Sequence, residues 1–230
     1  MELQQLNHPE GTMVLINKPL GWTSFDIVKK LRNTFKIKKI GHAGTLDPLA
    51  TGLLIICTEK KTKTISHYQE LTKVYTGQLV LGKTTPSIDL ETPFDSSVPY
   101  DHITETAIYE LAQTFIGCIT QIPPAYSAIK TKGVRAYKKA REGSQPDLQS
   151  REVAIKDFTI TAIDLPSVNF EITCSKGTYI RSIVRDFGER LGAGAYLSKL
   201  CRTHIGPYSL NEAYEIEDLT KLDDSRLNIL

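Results

Sequence analysis

The chain is poor in the features that mark several protein classes. Its four cysteines, Cys57, Cys118, Cys174 and Cys201, stand far apart and form no CxxC pair. That spacing argues against a metal site or a disulfide framework and fits a reducing compartment. No run approaches the roughly 18 apolar residues of a membrane span. The amino-terminal segment places acids and polar groups before a short apolar run, which does not read as a secretory leader. A cytoplasmic location is expected. A G-x-x-x-x-G-K-S/T loop, a dinucleotide fingerprint and a G-x-S-x-G elbow are all missing, which weakens nucleotide hydrolase, dehydrogenase and esterase readings. Internal repeats and low-complexity tracts are missing too.

Excess charge is also scarce, at a net +2 over 230 residues. Its distribution is more telling. Residues 26–63 hold nine Lys/Arg against three acids, residues 127–156 eight against three, and residues 176–204 six against two. Residues 207–230 reverse this, with six acids and two bases. A basic body diluted by an acidic tail suits a phosphate backbone if the three basic regions converge. Solvated helix faces are the plain alternative for each.

Hydrophobic periodicity predicts a strand over 13–17 and a helix after Thr23 or Ser24, with Asp26 in its first turn and Ile27, Val28, Leu31 and Phe35 inward. Residues 53–57 read as a buried strand and Val74–Leu81 as another, ended by Gly82. Residues 84–99 read as a long loop. Thr104 caps a helix with Ile108, Leu111, Ala112 and Phe115 on its core face, and Gly117 fits its end. Strands are predicted near 153–164 and 168–174. Gly177 or Thr178 introduces a helix with Ile180, Ile183, Val184, Phe187 and Leu191 inward, on which Arg181 and Arg185 share a face. A shorter helix is predicted near 195–201, and residues 211–222 read as partly helical. The order suggests an α/β or α+β domain without fixing its topology.

What the chain does have is the run Gly41-His42-Ala43-Gly44-Thr45-Leu46-Asp47-Pro48-Leu49-Ala50-Thr51-Gly52. Three glycines and a proline can hold one carboxylate in a rigid, closely approached loop. Asp47 is a candidate nucleophile or base; a loop-capping aspartate is the structural alternative.

This run, with Asn17-Lys18-Pro19-Leu20-Gly21-Trp22-Thr23-Ser24, resembles the paired amino-terminal signatures of the bacterial tRNA pseudouridine-55 synthase family, the TruB type. The resemblance continues in Lys73-Val74-Tyr75 and Leu81-Gly82-Lys83-Thr84-Thr85. It recurs in Gln121-Ile122-Pro123-Pro124-Ala125-Tyr126-Ser127-Ala128-Ile129-Lys130 and in Gly133-Val134-Arg135-Ala136-Tyr137. Cys174-Ser175-Lys176-Gly177-Thr178-Tyr179-Ile180-Arg181 supplies a carboxy-terminal signature. The matches run from about residue 11 to 208 in family order.

The resemblance implies an α+β (mixed α/β) catalytic domain: a central mixed, mainly antiparallel sheet, flanking helices and an RNA-gripping thumb at about 120–151. It implies a single catalytic domain over residues 1–230. Residues 207–230 would be a short acidic extension in place of the complete extra RNA-binding domain of longer relatives. The implied activity is isomerisation of the T-loop uridine of tRNA, at position 55, to pseudouridine, without cofactor or metal. Asp47 matches the catalytic aspartate, Arg181 the arginine that pairs with it, and Tyr75 the aromatic that stacks on the target base. His42 matches a histidine that places the flipped nucleotide, and Tyr179 and Ile180 shape the pocket. Lys18 and Pro19 brace the loop or, with Lys130, approach RNA. Lys132, Arg135, Lys138, Lys139 and Arg141 are candidate phosphate contacts in the thumb, and Arg151 and Lys156 extend that surface. The partner implied is the tRNA T-arm, with no membrane or obligatory protein partner and a monomer favoured. Ala43 departs from the Thr of many relatives. A noncatalytic RNA-binding or tRNA-folding module using the same cleft is the rival reading, opposed by the intact Asp47, Tyr75 and Arg181.

Overall fold

A computed structural model describes residues 6–131, 133–144 and 146–219. The chain begins with β1 (Met13–Lys18), α1 (Ser24–Phe35), β2 (Ile40–His42), β3 (Ala50–Thr58), α2 (Ile65–Glu70) and β4 (Lys73–Leu81). Next come β5 (Lys83–Thr84), β6 (Ser96–Ser97), α3 (Glu105–Gln113), β7 (Gly117–Gln121), β8 (Lys130–Thr131), β9 (Val134–Arg135) and α4 (Ala136–Arg141). The remainder is β10 (Arg151–Asp164), β11 (Ser167–Cys174), α5 (Ile180–Arg190), β12 (Ala195–Ile205), β13 (Tyr208–Ser209) and β14 (Tyr214–Glu215). They divide into two compact units, one formed by residues up to Tyr75 and from Cys201 on, the other by Thr76–Leu200. The strands are mixed and mainly antiparallel, as the fold class expected from the resemblance requires.

In the first unit β1 lies between β14, which it pairs in parallel, and β3, which it pairs antiparallel from Met13↔Cys57 to Lys18↔Gly52. The run Leu53-Leu54-Ile55-Ile56-Cys57 is buried on both faces, which explains its unbroken hydrophobicity. Leu54 and Ile56 pack with Val14, Ile16, Ile27, Val28 and Leu31. Leu53, Ile55 and Cys57 point the other way, into a cluster with Leu15, Ala43, Tyr68 and Ile205. Helix α1 starts as predicted. Thr23 caps it, its side chain accepting from the Asp26 amide while the Asp26 carboxylate accepts from the Thr23 amide.

In the second unit β10 and β11 form a long hairpin, and β7 pairs the far side of β10. Strand β11 alternates strictly, burying Val168, Phe170, Ile172 and Cys174. Phe158 sits at the centre of an aromatic cluster, 5.9 Å from Phe115, 6.0 Å from Phe170 and 5.7 Å from Phe187 between ring centroids. Phe115, expected on the core face of α3, lies just past its end at Gln113; with Phe187 on α5 it packs against the sheet.

Four local expectations are corrected. The segment 195–201 is the start of strand β12, not a helix: Ala195 and Leu197 are buried alternately, and Gly192 and Gly194, at φ 71° and 63°, turn the chain out of α5. Short apolar runs do not distinguish the two periods, and pairing decided the outcome. Residues 84–99 are not a plain loop; β5 pairs with β6, and Thr85, Ser87, Ile88 and Asp89 are buried. Gly117 does not end α3, which stops at Gln113; at φ 112° it opens β7. The cap residue of α5 is Tyr179 rather than Gly177 or Thr178, and its amide is satisfied by the Gln121 side chain at 2.8 Å.

Candidate active site

The glycine-rich run lies in the first unit, between the end of β2 and the first residues of β3. Asp47 is half-buried near its middle. Its neighbours are tied by their main-chain atoms. The buried Ser24 hydroxyl accepts from the Leu46 amide at 2.9 Å. On the other side the Pro48 carbonyl accepts from the Gly21 amide at 2.8 Å and from Lys18 Nζ at 3.4 Å. The Asp47 carbonyl accepts from the Ala50 amide at 3.0 Å, closing a turn. The two amino-terminal signatures are therefore one structural object: residues 18–24 hold residues 46–48. Ala43 is wholly buried among Leu53 and Ile55, where a small apolar side chain fits without a hydroxyl to satisfy.

Lys18 is fully buried, and its ammonium donates to the carbonyls of Trp22 at 2.6 Å and Pro19 at 2.9 Å. Burial lowers its pKa to about 8, against the attraction of Asp47 and Asp26, while Arg202 adds to the lowering. Its ammonium is thus directed at main-chain carbonyls on either side of the turn. Pro19 is half-buried beside it. His42 ends β2, and burial lowers its pKa below the usual imidazole range despite an opposing effect of the Gly44 main chain. Its Nδ1 is buried and makes no hydrogen bond of good geometry among the described residues. Tyr75 is largely buried on β4, 9% exposed.

The second unit carries the other predicted residues. Arg181 is in the first turn of α5 and is 3% exposed. Its Nη1 donates to the Ser87 carbonyl at 3.0 Å and its Nη2 to the Tyr126 carbonyl at 2.8 Å. Its Nε stands 3.7 Å from Oδ2 of Asp89. Asp89 escaped the sequence analysis; its only signal was a single acid between Ile88 and Leu90 in a polar loop. Gln121 was also missed. Its buried amide accepts from the Tyr179 amide and donates to the Tyr179 carbonyl, fixing the start of the helix that bears Arg181. Ile180 is buried, and the Arg151 guanidinium lies over the Tyr179 ring at 5.1 Å.

Within the segment 120–151, β8 and β9 pair as a small ribbon, and α4 follows. Arg135 and Lys138 are exposed and Lys139 is half-buried. Arg141 is exposed but pairs with Glu91 and lies over the Tyr137 ring at 5.5 Å. Lys156 is exposed on β10. Lys132 and the side chain of Lys130 lie outside the described residues. Among the described residues, no group of three or more His, Cys, Asp or Glu is placed to hold a metal ion.

Comparison with known proteins identifies the family. Residues 32–180 match the N-terminal domain of the TruB family of pseudouridylate synthases, and residues 181–228 match the C-terminal domain of tRNA pseudouridylate synthase B. A tRNA pseudouridine synthase B of Flavobacterium johnsoniae is 50% identical over 214 residues, 90% of this chain and 93% of its own. That of Chloroherpeton thalassium is 49% identical over 216 residues, 92% of this chain and 90% of its own. Among solved structures, a chain of a Cbf5-Nop10-Gar1 complex superposes with a TM-score of 0.73 at 27% identity, over 95% of this chain and 56% of that one. A chain of an H/ACA RNP bound to a substrate RNA containing 2′-deoxyuridine gives 0.70 at 25% identity, over 93% of this chain and 54% of that one. This chain thus spans little more than half of those two solved chains. On the extent of these matches, the chain belongs to the TruB family of pseudouridylate synthases.

Proposed function

We propose that this chain converts a uridine of tRNA to pseudouridine, and that its target is the T-loop uridine at position 55. The observation that carries the reading is the half-buried Asp47 on a loop tied on both sides by main-chain hydrogen bonds. In this reading Asp47 promotes cleavage of the N1–C1′ bond, the freed uracil turns, and C5 bonds to C1′. The proton lost from C5 is balanced by one gained at N1, so the reaction consumes nothing and needs no cofactor. The contribution of the protein is position and field.

Tyr75 is assigned to stack on the base and His42 to place the flipped nucleotide, with its imidazole neutral at pH 7. Arg181 has an electrostatic role in the same reaction, while Tyr179 and Ile180 shape the pocket. Arg135, Lys138, Lys139 and Arg141, with Lys132 and Lys130, contact phosphates of the T-arm, which gives affinity rather than base identity. A uridine in a loop costs less to extract than one in a continuous duplex. The enzyme is expected to act as a cytoplasmic monomer.

The test is pseudouridine formation in an unmodified tRNA and in its isolated T-arm, comparing the wild type with Asp47→Asn. Product at the T-loop uridine, reduced on the order of 10³-fold or more in the variant while RNA binding survives, is expected. Binding without product in either protein, on both RNAs, would sink the catalytic reading and leave an RNA-binding module.

A further inference from the structure

Arg202, on β12, is 1% exposed, so an ionised guanidinium lies wholly inside the first unit. Its hydrogen bonds go to three main-chain carbonyls. Nε donates to Leu53 at 2.8 Å, Nη2 to Gly44 at 3.2 Å and Nη1 to Thr45 at 3.5 Å. Gly44 and Thr45 precede Asp47, and Leu53 follows it. One planar group therefore grips the chain on both sides of Asp47.

The surrounding residues are adapted to this grip. At Gly52, φ 103°, an added Cβ would stand 2.4 Å from the Arg202 carbonyl oxygen and 2.7 Å from its amide nitrogen. Glycine there lets β12 come close enough for the guanidinium to reach the loop. Gly44, φ 117°, lies against the same group, its Cβ position 3.6 Å from Nη1. Filling this space with Leu or Met would avoid the cost of burying a cation. What those residues lack is a rigid fork of donors for carbonyls that converge from the two ends of the loop.

We infer that Arg202 is a positioning residue for the reaction, setting through Gly44, Thr45 and Leu53 where the Asp47 carboxylate stands. The inference rests on the reading of Asp47 as the reacting group. It differs from an RNA-binding role because Arg202 is buried and its donors are used inside the protein. It differs from core filling because the hydrogen bonds converge on the two ends of one loop.

The experiment compares wild type, Arg202→Met and Arg202→Lys in steady-state pseudouridine formation on unmodified tRNA and in amide hydrogen exchange. Misplacement of a reacting group by about 1 Å can cost 10²-fold. Arg202→Met should therefore lower kcat about 100-fold, with KM and RNA affinity within about twofold of wild type. Arg202→Lys, which keeps the charge but loses the fork, should fall between. Exchange at the Leu46 and Ala50 amides should accelerate in Arg202→Met while the amides of β1 keep their protection. A folded Arg202→Met with wild-type kcat and unchanged exchange would overturn the inference. So would a raised KM at constant kcat, which would assign Arg202 to RNA binding. If Arg202→Met does not fold, wild-type kcat and exchange in Arg202→Lys would overturn it equally. An inactive wild type would refute the proposed function, and exchange at Leu46 and Ala50 would still decide whether Arg202 holds the loop.

Discussion

Two irregular, glycine- and proline-containing segments do opposite things. Residues 41–52 are held by their main chain: Ser24, Lys18, Gly21 and Arg202 all bond to loop amides or carbonyls, and Ala43 and Leu46 are buried. Within 120–151, the segment 133–144 instead displays basic side chains, with Arg135, Lys138 and Arg141 exposed. The difference follows from the work proposed for each. A reacting carboxylate must be held within a fraction of an ångström, which needs an immobile backbone. A phosphate grip needs only charge on long side chains, and tolerates variation in where each charge sits.

The comparison is broken most directly at Gly52. Gly52→Ala places a methyl group against the Arg202 backbone at a positive φ, so neither the space nor the conformation suits it. It should lower unfolding free energy by roughly 3 kcal/mol or more, measured by urea denaturation. Ala at Gly133, φ 82° with open space around it, should cost clearly less. Equal losses at the two positions would erase the contrast.

Lys18 offers a pH test of how firmly the loop's brace is buried. Its folded pKa, about 8, lies below the ordinary 10.5. Between those values the unfolded chain binds a proton that the folded chain has released, so stability rises with pH across that window. Relative to Lys18→Met, the wild type should gain on the order of 2 kcal/mol between pH 7 and 9.5, read from denaturant curves at both. A constant difference between the two proteins would show that Lys18 titrates as it does in water.

The smallest effect belongs to the basic segment. Arg135→Ala and Lys138→Ala should each change stability by less than about 0.5 kcal/mol. Each should also weaken tRNA binding and reduce the slope of log affinity against log salt by about 1, with kcat at saturating tRNA unchanged. Loss of kcat in either variant would show that this segment also positions the reacting groups.

Much of the fold was legible where a local rule had no competitor. The Thr23–Asp26 capping box, the continuous apolar run of β3 and the alternation of β11 each depend on nearby residues and the burial of one or both faces. The site was legible as far as its signatures reached, and these marked Asp47 and Arg181 on the loop and helix where the structure has them. Legibility failed where distant segments decide. The stretch 195–201 is a strand because it pairs with segments distant in sequence, and nothing near it announces that. Asp89 and Gln121 look like ordinary loop and strand residues until Arg181 and Tyr179 are beside them.

The sequence by itself singled out the candidate residues, because a glycine-rich loop around one acid and a run of basic residues are local facts of composition. Only the tertiary structure decided what holds that acid in place. Arg202 is 155 residues beyond Asp47, and the role proposed for it rests on three carbonyls that no spacing rule could bring to one guanidinium. A buried cation must find its partners wherever the fold delivers them, and that delivery depends on strand pairing across the whole first unit.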